Sequence, residues 1–508
     1  MGLREWLEET HGPRFELLRH FVRRFFESDV VTSPDHAMGV LIAAAPMCFL
    51  WFLMIMGPLK HKYAYFSSLP APGPYREALQ ADELCLITLM MAVMGLLTAV
   101  KWQALFPDQM DYRTLGSLPV RTGQIYLAKL GALLLVATAA LVVLNLLPGR
   151  RFRLFREATG VSRLRRGNGR WGILRLRWGA ARLCFWGLVG VQGLLRNLPR
   201  PGAFAKVNGP VQGGLLAATL TLLVESLGIG PPELRWALHP GVAEWLPPVW
   251  FLGVCQKLGG DPNASMAALA GRAWAGLGWA AVLAGGTYVA SSLRHPAMQM
   301  EGSSGGSRES LGVRVFVTLF SWRPRRRAIG AFRVQTLARS NRHRAIGMAY
   351  AGFAVALGVG GMAGMPSGFR ANRVVAADFV LCHMLIVVFL VAGTRHLFSI
   401  PVELKGNWIF RMTELEGRAE WFRAVDRLVL VWFVMPLVLV PLPLEIRLRG
   451  WRAGAEVLLL LVLGLITWEW VFSAWEKLPF TCSSLPGKLP IRDGAGGVGS
   501  GECAGTAA

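Results

Sequence analysis

Ten apolar runs divide this 508-residue chain, most of them close to the length that a lipid bilayer demands. The hydrocarbon core of a bilayer is about 30 Å thick and a helix rises about 1.5 Å per residue, so one crossing takes about 20 apolar residues. The runs fall at 37–57, 84–100, 127–147, 178–195, 211–229, 268–293, 345–363, 374–394, 426–444 and 453–475. Inside lipid every backbone N–H and C=O must be bonded within the protein, so such runs read as helices. The expected fold class is all-α, a polytopic transmembrane helical bundle of about ten spans. The first run passes from Ala37 to Gly57 without a charge, whereas Arg182 and Glu225 interrupt the fourth and fifth.

Composition supports the same reading. Only 17% of residues are charged and 53% are hydrophobic, against about 25% charged in soluble globular chains. Collagen-like, disulfide-scaffold and disordered chains are excluded. The seven Cys form no C-x-x-C pair, and several lie inside apolar runs, where Cys behaves as a small hydrophobe.

A net charge of +23 would point to nucleic acid in a soluble chain. In a membrane chain Lys and Arg instead stay on the cytoplasmic side. With the amino terminus cytoplasmic, the inside segments hold 32 Lys and Arg and the outside segments 20. Half of the outside total sits in 148–177, where Arg150, Arg151, Arg153, Arg156, Arg163, Arg165, Arg166, Arg170, Arg175 and Arg177 share one acid, Glu157. Three readings of that stretch compete: spans three and four pair differently, the segment is a basic patch for anionic lipid or nucleic acid, or residues 150–182 are out of frame. The expected location is a bacterial inner (plasma) membrane, multi-pass, with a cytoplasmic amino terminus and no cleavable signal peptide.

Residues 1–36 read as an amphipathic interfacial helix. Trp6, Leu7, Phe15, Leu18, Phe21, Val22, Phe25 and Phe26 recur at roughly helical spacing between Arg14, Arg19, Arg23 and Arg24, the pattern of a helix lying in a bilayer surface. The rest divides into a first six-span half at 37–293, a basic cytoplasmic connector at 294–344, a second half of four spans at 345–488 and a disordered tail at 489–508. The halves look like repeats, the second incomplete. Span two leads through Lys101 to Phe106-Pro107-Asp108 and a polar loop, and span eight leads through Arg395 to Ile400-Pro401 and a loop of similar length. Internal repeats are common in transporters.

These features resemble the permease subunits of bacterial type-two ABC exporters. The resemblance rests on the interfacial amino-terminal helix, six spans, a coupling loop between spans two and three, and a re-entrant element between spans five and six. The coupling loop would run from Phe106, Pro107, Asp108, Asp111, Tyr112 and Arg113 to Pro119, and the re-entrant element from Trp245 to Gly253. The match covers about 37–147, 183–293 and 330–488, and departs from the family at 150–182 and after Lys488. It implies a subunit without chemistry of its own, whose loop receives a push from a separate ATPase. Asp108 and Asp111 after Pro107 also suit, on physical grounds, a turn followed by a helix start.

Catalytic signatures are missing. No G-x-x-x-x-G-K-[ST] and no H-E-x-x-H occurs, and the nine His are scattered, so no cofactor, metal or enzyme activity is expected. Gly302-Ser303-Ser304-Gly305-Gly306 fits a nucleophile elbow by letters only, in a flexible connector. Ionisable residues within spans are functional suspects by default. Glu225, Asp378, His383 and Glu469 are candidates for a polar membrane path, while Arg272 and Glu456 sit near span ends. The expected function is a permease-like subunit of an ATP-driven transporter, with an ATPase and anionic lipids as partners and no nucleic acid. Two alternatives remain open: a non-transporting or decayed membrane scaffold, and a membrane enzyme with a site assembled from distant loops.

Overall fold

The computed structural model describes residues 15–25, 72–115, 117–158, 169–198, 203–258, 263–300, 340–363, 374–400, 443, 446–447 and 450–472. The described residues form an all-helical bundle without strands. Helix α1 covers 15–25. Helix α2 is Pro72–Val100, α3 Gln109–Leu115, α4 Thr122–Ala158, α5 Gly169–Arg196 and α6 Ala203–Gly228. Three short helices follow, α7 Pro231–Ala237, α8 Pro240–Ala243 and α9 Pro247–Leu258. The chain continues with α10 Ala264–Met300, α11 Asn341–Ala363, α12 Val374–Ser399 and α13 Arg452–Phe472.

Five helices are long and apolar enough to cross a membrane, at Glu77–Val100, Thr122–Val142, Val207–Ser226, Ala264–Arg294 and Gly454–Phe472. They coincide with the expected spans two, three, five, six and ten. Spans seven and eight fall on α11 and α12, whose described apolar stretches are shorter, at Ile346–Leu357 and His383–Phe398. Span four falls on α5. Spans one and nine, the connector at 301–339 and the tail lie outside the described residues.

Helix α2 sits at the centre. It packs on α5, α6 and α9; α10 packs on α5 and α9; and α11, α12 and α13 follow one another outward from α6. Lipid is as apolar as a leucine side chain, so close packing rather than water exclusion holds spans together, and small residues let backbones meet. The contact between α6 and α11 shows this. A Cβ added at Gly352 would stand 3.0 Å from the backbone nitrogen and Cα of Ala217.

Between α6 and α10 the chain turns back into the bundle. Gly230 and Pro231 open α7, with the Glu233 carboxylate accepting the Gly230 N–H at 2.9 Å, a capping interaction that starts a helix sharply. Arg235 then pairs with Glu77 near the start of α2 at 2.8 Å. Further on, Glu244 pairs with Arg272 at 3.2 Å, two turns into α10. Helix α9 returns antiparallel to α10, with Trp250 beside Gly276 and Gly253 on Leu269 and Ala270. Val249, Phe251 and Leu252 of α9 are buried among Ala81, Leu84 and Ile87 of α2 and Ala270 and Ala273 of α10.

Candidate functional site: a clamped loop at one end of the bundle

Helix α2 ends at Val100, and the next 20 residues form a polar segment bound to the bundle end. A turn of 3-10 helix at Trp102–Leu105 buries Trp102, Leu105 and Phe106 completely or nearly so. Phe106 is extended, which the following Pro107 favours. Asp108 then caps α3. Its carboxylate accepts the Asp111 N–H at 2.8 Å, and the Asp111 carboxylate accepts the Asp108 N–H at 3.0 Å. This is a reciprocal capping box with Asp in place of the usual Glu. Helix α4 is opened by the side chain of Gln124, which accepts the Arg121 N–H at 3.2 Å.

Asp111 is wholly buried. The Lys129 ammonium of α4 donates to its Oδ2 at 2.7 Å, and the Arg24 guanidinium of α1 donates to its Oδ1. Arg24 also reaches the Asp108 carboxylate at 3.1 Å. Lys129 is itself buried and lies 5.0 Å from the centre of the Phe21 ring. Burial by itself would raise the Asp111 carboxyl. The Lys129 ammonium, the Asp108 backbone and the Arg24 guanidinium outweigh that and hold it below the usual carboxylate range. Charges removed from water are tolerated only when paired and hydrogen-bonded in this way.

Other helices hold the segment at further points. From α6, Asn208 accepts the Trp102 indole N–H at 2.6 Å and Gln212 donates to the Ala99 carbonyl at 3.1 Å. From α5, Gln192 donates to the Trp102 carbonyl, and Arg196 donates to the Pro107 carbonyl while lying 5.4 Å from the centre of the Phe106 ring. From α10, Tyr288 packs on Phe106 at a ring separation of 4.8 Å. Tyr126 of α4 joins Tyr112 and Tyr288 and donates to the Ser291 carbonyl at 3.2 Å. Burial pushes the Tyr112 phenol above its usual value, so it stays protonated. Helices α1, α4, α5, α6 and α10 therefore all meet one loop.

The expected loop residues divide into two sets. Phe106, Pro107, Asp111 and Tyr112 are buried, and Asp108 and Pro119 are exposed. The Arg113 side chain lies outside the described residues. Thr114, Ser117, Leu118 and Arg121 extend the exposed face. The expected membrane-path residues are dispersed. Glu225 is half-buried on α6 with Oε1 out of contact with any hydrogen-bond donor among the described residues. His383 is half-buried on α12 and Glu469 is exposed on α13. The side chain of Asp378 lies outside the described residues. Arg182 is exposed beside the Trp178 ring at 5.7 Å, and Arg272 has its partner in Glu244.

Sequence reasoning alone did not select Lys129, Gln192, Arg196, Asn208, Gln212, Tyr126 or Tyr288, and it read Arg24 only as part of a basic stripe. The available signal was polar residues at the ends of apolar runs, near Lys101 and Lys129 or before Pro210. Such positions read as ordinary span ends. Among the described residues no group of three or more His, Cys, Asp or Glu could hold a metal ion. No family model, curated protein or solved structure matches this chain.

Proposed function

We propose that this protein is a membrane-spanning, permease-like subunit of an ATP-driven transporter that depends on a separate ATPase. The reading is supported above all by the clamping of residues 101–120. A loop that only connects two spans has no need of buried ion pairs and hydrogen bonds to four other helices and ring packing on a fifth. A loop that must carry a push into a bundle needs them, because force passes through stiff, contiguous contacts. The exposed face at Asp108, Thr114, Ser117, Leu118, Pro119 and Arg121 is the surface on which an ATPase would act. The short helices α7, α8 and α9, folded back between two long ones, fit the re-entrant element of the same reading.

The finer architecture belongs to this proposal as well: about ten spans, two repeat-like halves, a bacterial inner membrane and a cytoplasmic amino terminus. In it the Arg-rich stretch after Val142 is the main exception to the positive-inside distribution.

Affinity purification of the tagged full-length protein from mild detergent tests the function. Stoichiometric recovery of an ATPase, lost on substitutions at Leu118 and Pro119, is the expected outcome. A protein that is stable in the membrane yet brings down no ATPase overturns the reading in favour of a non-transporting scaffold.

A further inference from the structure

Four buried polar atoms beside the clamped loop have no hydrogen-bond partner among the described residues: the hydroxyls of Tyr112 and Tyr288, Oε1 of Gln192 and Oδ1 of Asn197. Tyr112, Tyr288 and Gln192 are each more than nine-tenths buried. The four atoms belong to three elements that meet around Phe106. Tyr288 of α10 packs on the Phe106 ring at 4.8 Å. Gln192 and Asn197 of α5 lie on either side of Gly193, where an added Cβ would stand 3.2 Å from the tip of the same ring. Tyr112 of α3 is linked to Tyr288 by the ring of Tyr126, at separations of 6.5 and 5.5 Å.

The direction of each unmet bond is fixed by bonds already made. The Gln192 amide nitrogen donates to the Trp102 carbonyl. That of Asn197 donates to the Gly193 and Thr287 carbonyls at 2.8 and 3.0 Å. The two amide oxygens are therefore the unmet ends, and they only accept. Tyr126 donates its proton to the Ser291 carbonyl, whereas the protons of Tyr112 and Tyr288 meet no acceptor among the described residues. Two donors and two acceptors thus stand behind one loop. An anion would suit the phenols and be repelled by the amide oxygens, and a cation the reverse. Only a small molecule that both donates and accepts suits all four. We infer that ordered water binds on this side of the loop, accepting from Tyr112 and Tyr288 and donating to Gln192 and Asn197. A buried water takes about three such bonds, and a bridged contact is nearly as favourable as a direct one. The loop then has two unlike seats on the bundle. At Asp111 it is dry, with charges paired directly, and at Tyr112 it is hydrated.

The inference stands apart from the proposed function, because water binding needs no ATPase and the chain is tested alone. Full-length protein in nanodiscs receives a brief pulse of X-rays, which turns water into hydroxyl radicals, and side-chain oxidation is read by mass spectrometry. Radicals born from bound water react inside the site. Buried Tyr112 and Tyr288 should therefore be oxidised about as fast as half-exposed Tyr350 and many-fold faster than Phe251, which is equally buried in an apolar core. Oxidation no faster than that of Phe251 overturns the inference. Unfolding of variants gives a second readout. Tyr112→Phe and Tyr288→Phe should each shift the thermal midpoint down, and the double variant should lose less than the sum, because both phenols hold the same water. A dry, unpaired phenol gives no shift or an upward one, since the change removes a buried group without a partner. No shift, an upward shift or strictly additive losses overturn the shared water site.

Discussion

The Lys129 ammonium sits 2.7 Å from a carboxylate oxygen of Asp111 that is itself wholly shielded from solvent. One partner lies in the first turn of a loop helix and the other two turns into a candidate span. The pair therefore joins the loop to the membrane-spanning body through charge rather than through the covalent chain alone. Arg24 completes a triad from a third element.

Removal of one member of a buried pair leaves the other charged and unpaired, which costs about 3–5 kcal/mol. Asp111→Asn should therefore strongly lower the thermal unfolding midpoint in detergent. Asp111→Leu combined with Lys129→Met removes both charges and should recover most of the loss. A double variant as unstable as the single one would show that the pair does not carry this stability.

The pH response of the same site has a definite sign. Asp111 is held below its ordinary value of 3.8 in the folded protein. Its contribution is then fully present above that value and is lost as pH falls through the depressed folded value. The stability difference between wild type and Asp111→Asn should be flat from about pH 5 to 8 and shrink below about pH 4. Unfolding midpoints across that range measure it.

Trp102 depends on one acceptor for its buried indole N–H, Asn208 Oδ1. Asn208→Leu leaves that donor unsatisfied at a cost of about 1–3 kcal/mol. Asn208→Gln, which keeps an amide oxygen, should cost less. Thermal unfolding followed by tryptophan fluorescence separates the two.

Backbone contact between α6 and α11 gives a steric prediction. Gly352→Ala places a methyl group 3.0 Å from Ala217 backbone atoms, which cannot move aside as a flexible side chain can, so about 1–3 kcal/mol of overpacking is expected. Gly278→Ala meets nothing within 4 Å and should be neutral or slightly stabilising through helix propensity. Unfolding of both variants in one detergent checks the contrast.

The legible part of the site was local. Asp108 and Asp111, three apart after a proline, read as a helix start, and α3 begins at Gln109. Apolar run lengths at 84–100, 127–147, 211–229, 268–293 and 453–475 coincide with helices long enough to span. The partners of the loop were not legible. Arg24 lies 84 and 87 residues from its two carboxylates, Gln192 90 from Trp102, and Asn208 106 from Trp102. Nothing in the local pattern around Lys129 distinguishes a span-end lysine that faces headgroups from one that faces a buried acid.

Solvent preference is a property that residues carry individually, and it accumulates along the chain. Segment lengths, helical character and the polar identity of residues 107–121 were therefore determined by the sequence alone. Which polar group meets which depends on how helices pack, and packing among spans of equal apolarity is decided by shape. Close contacts such as Gly131 of α4 on Leu18 of α1, with Leu17 and Phe21 packed on Leu115 and Ile125, set the positions that bring Lys129, Arg24 and Asp111 to one point. That convergence, and with it the case for a force-bearing loop, only the tertiary structure could decide.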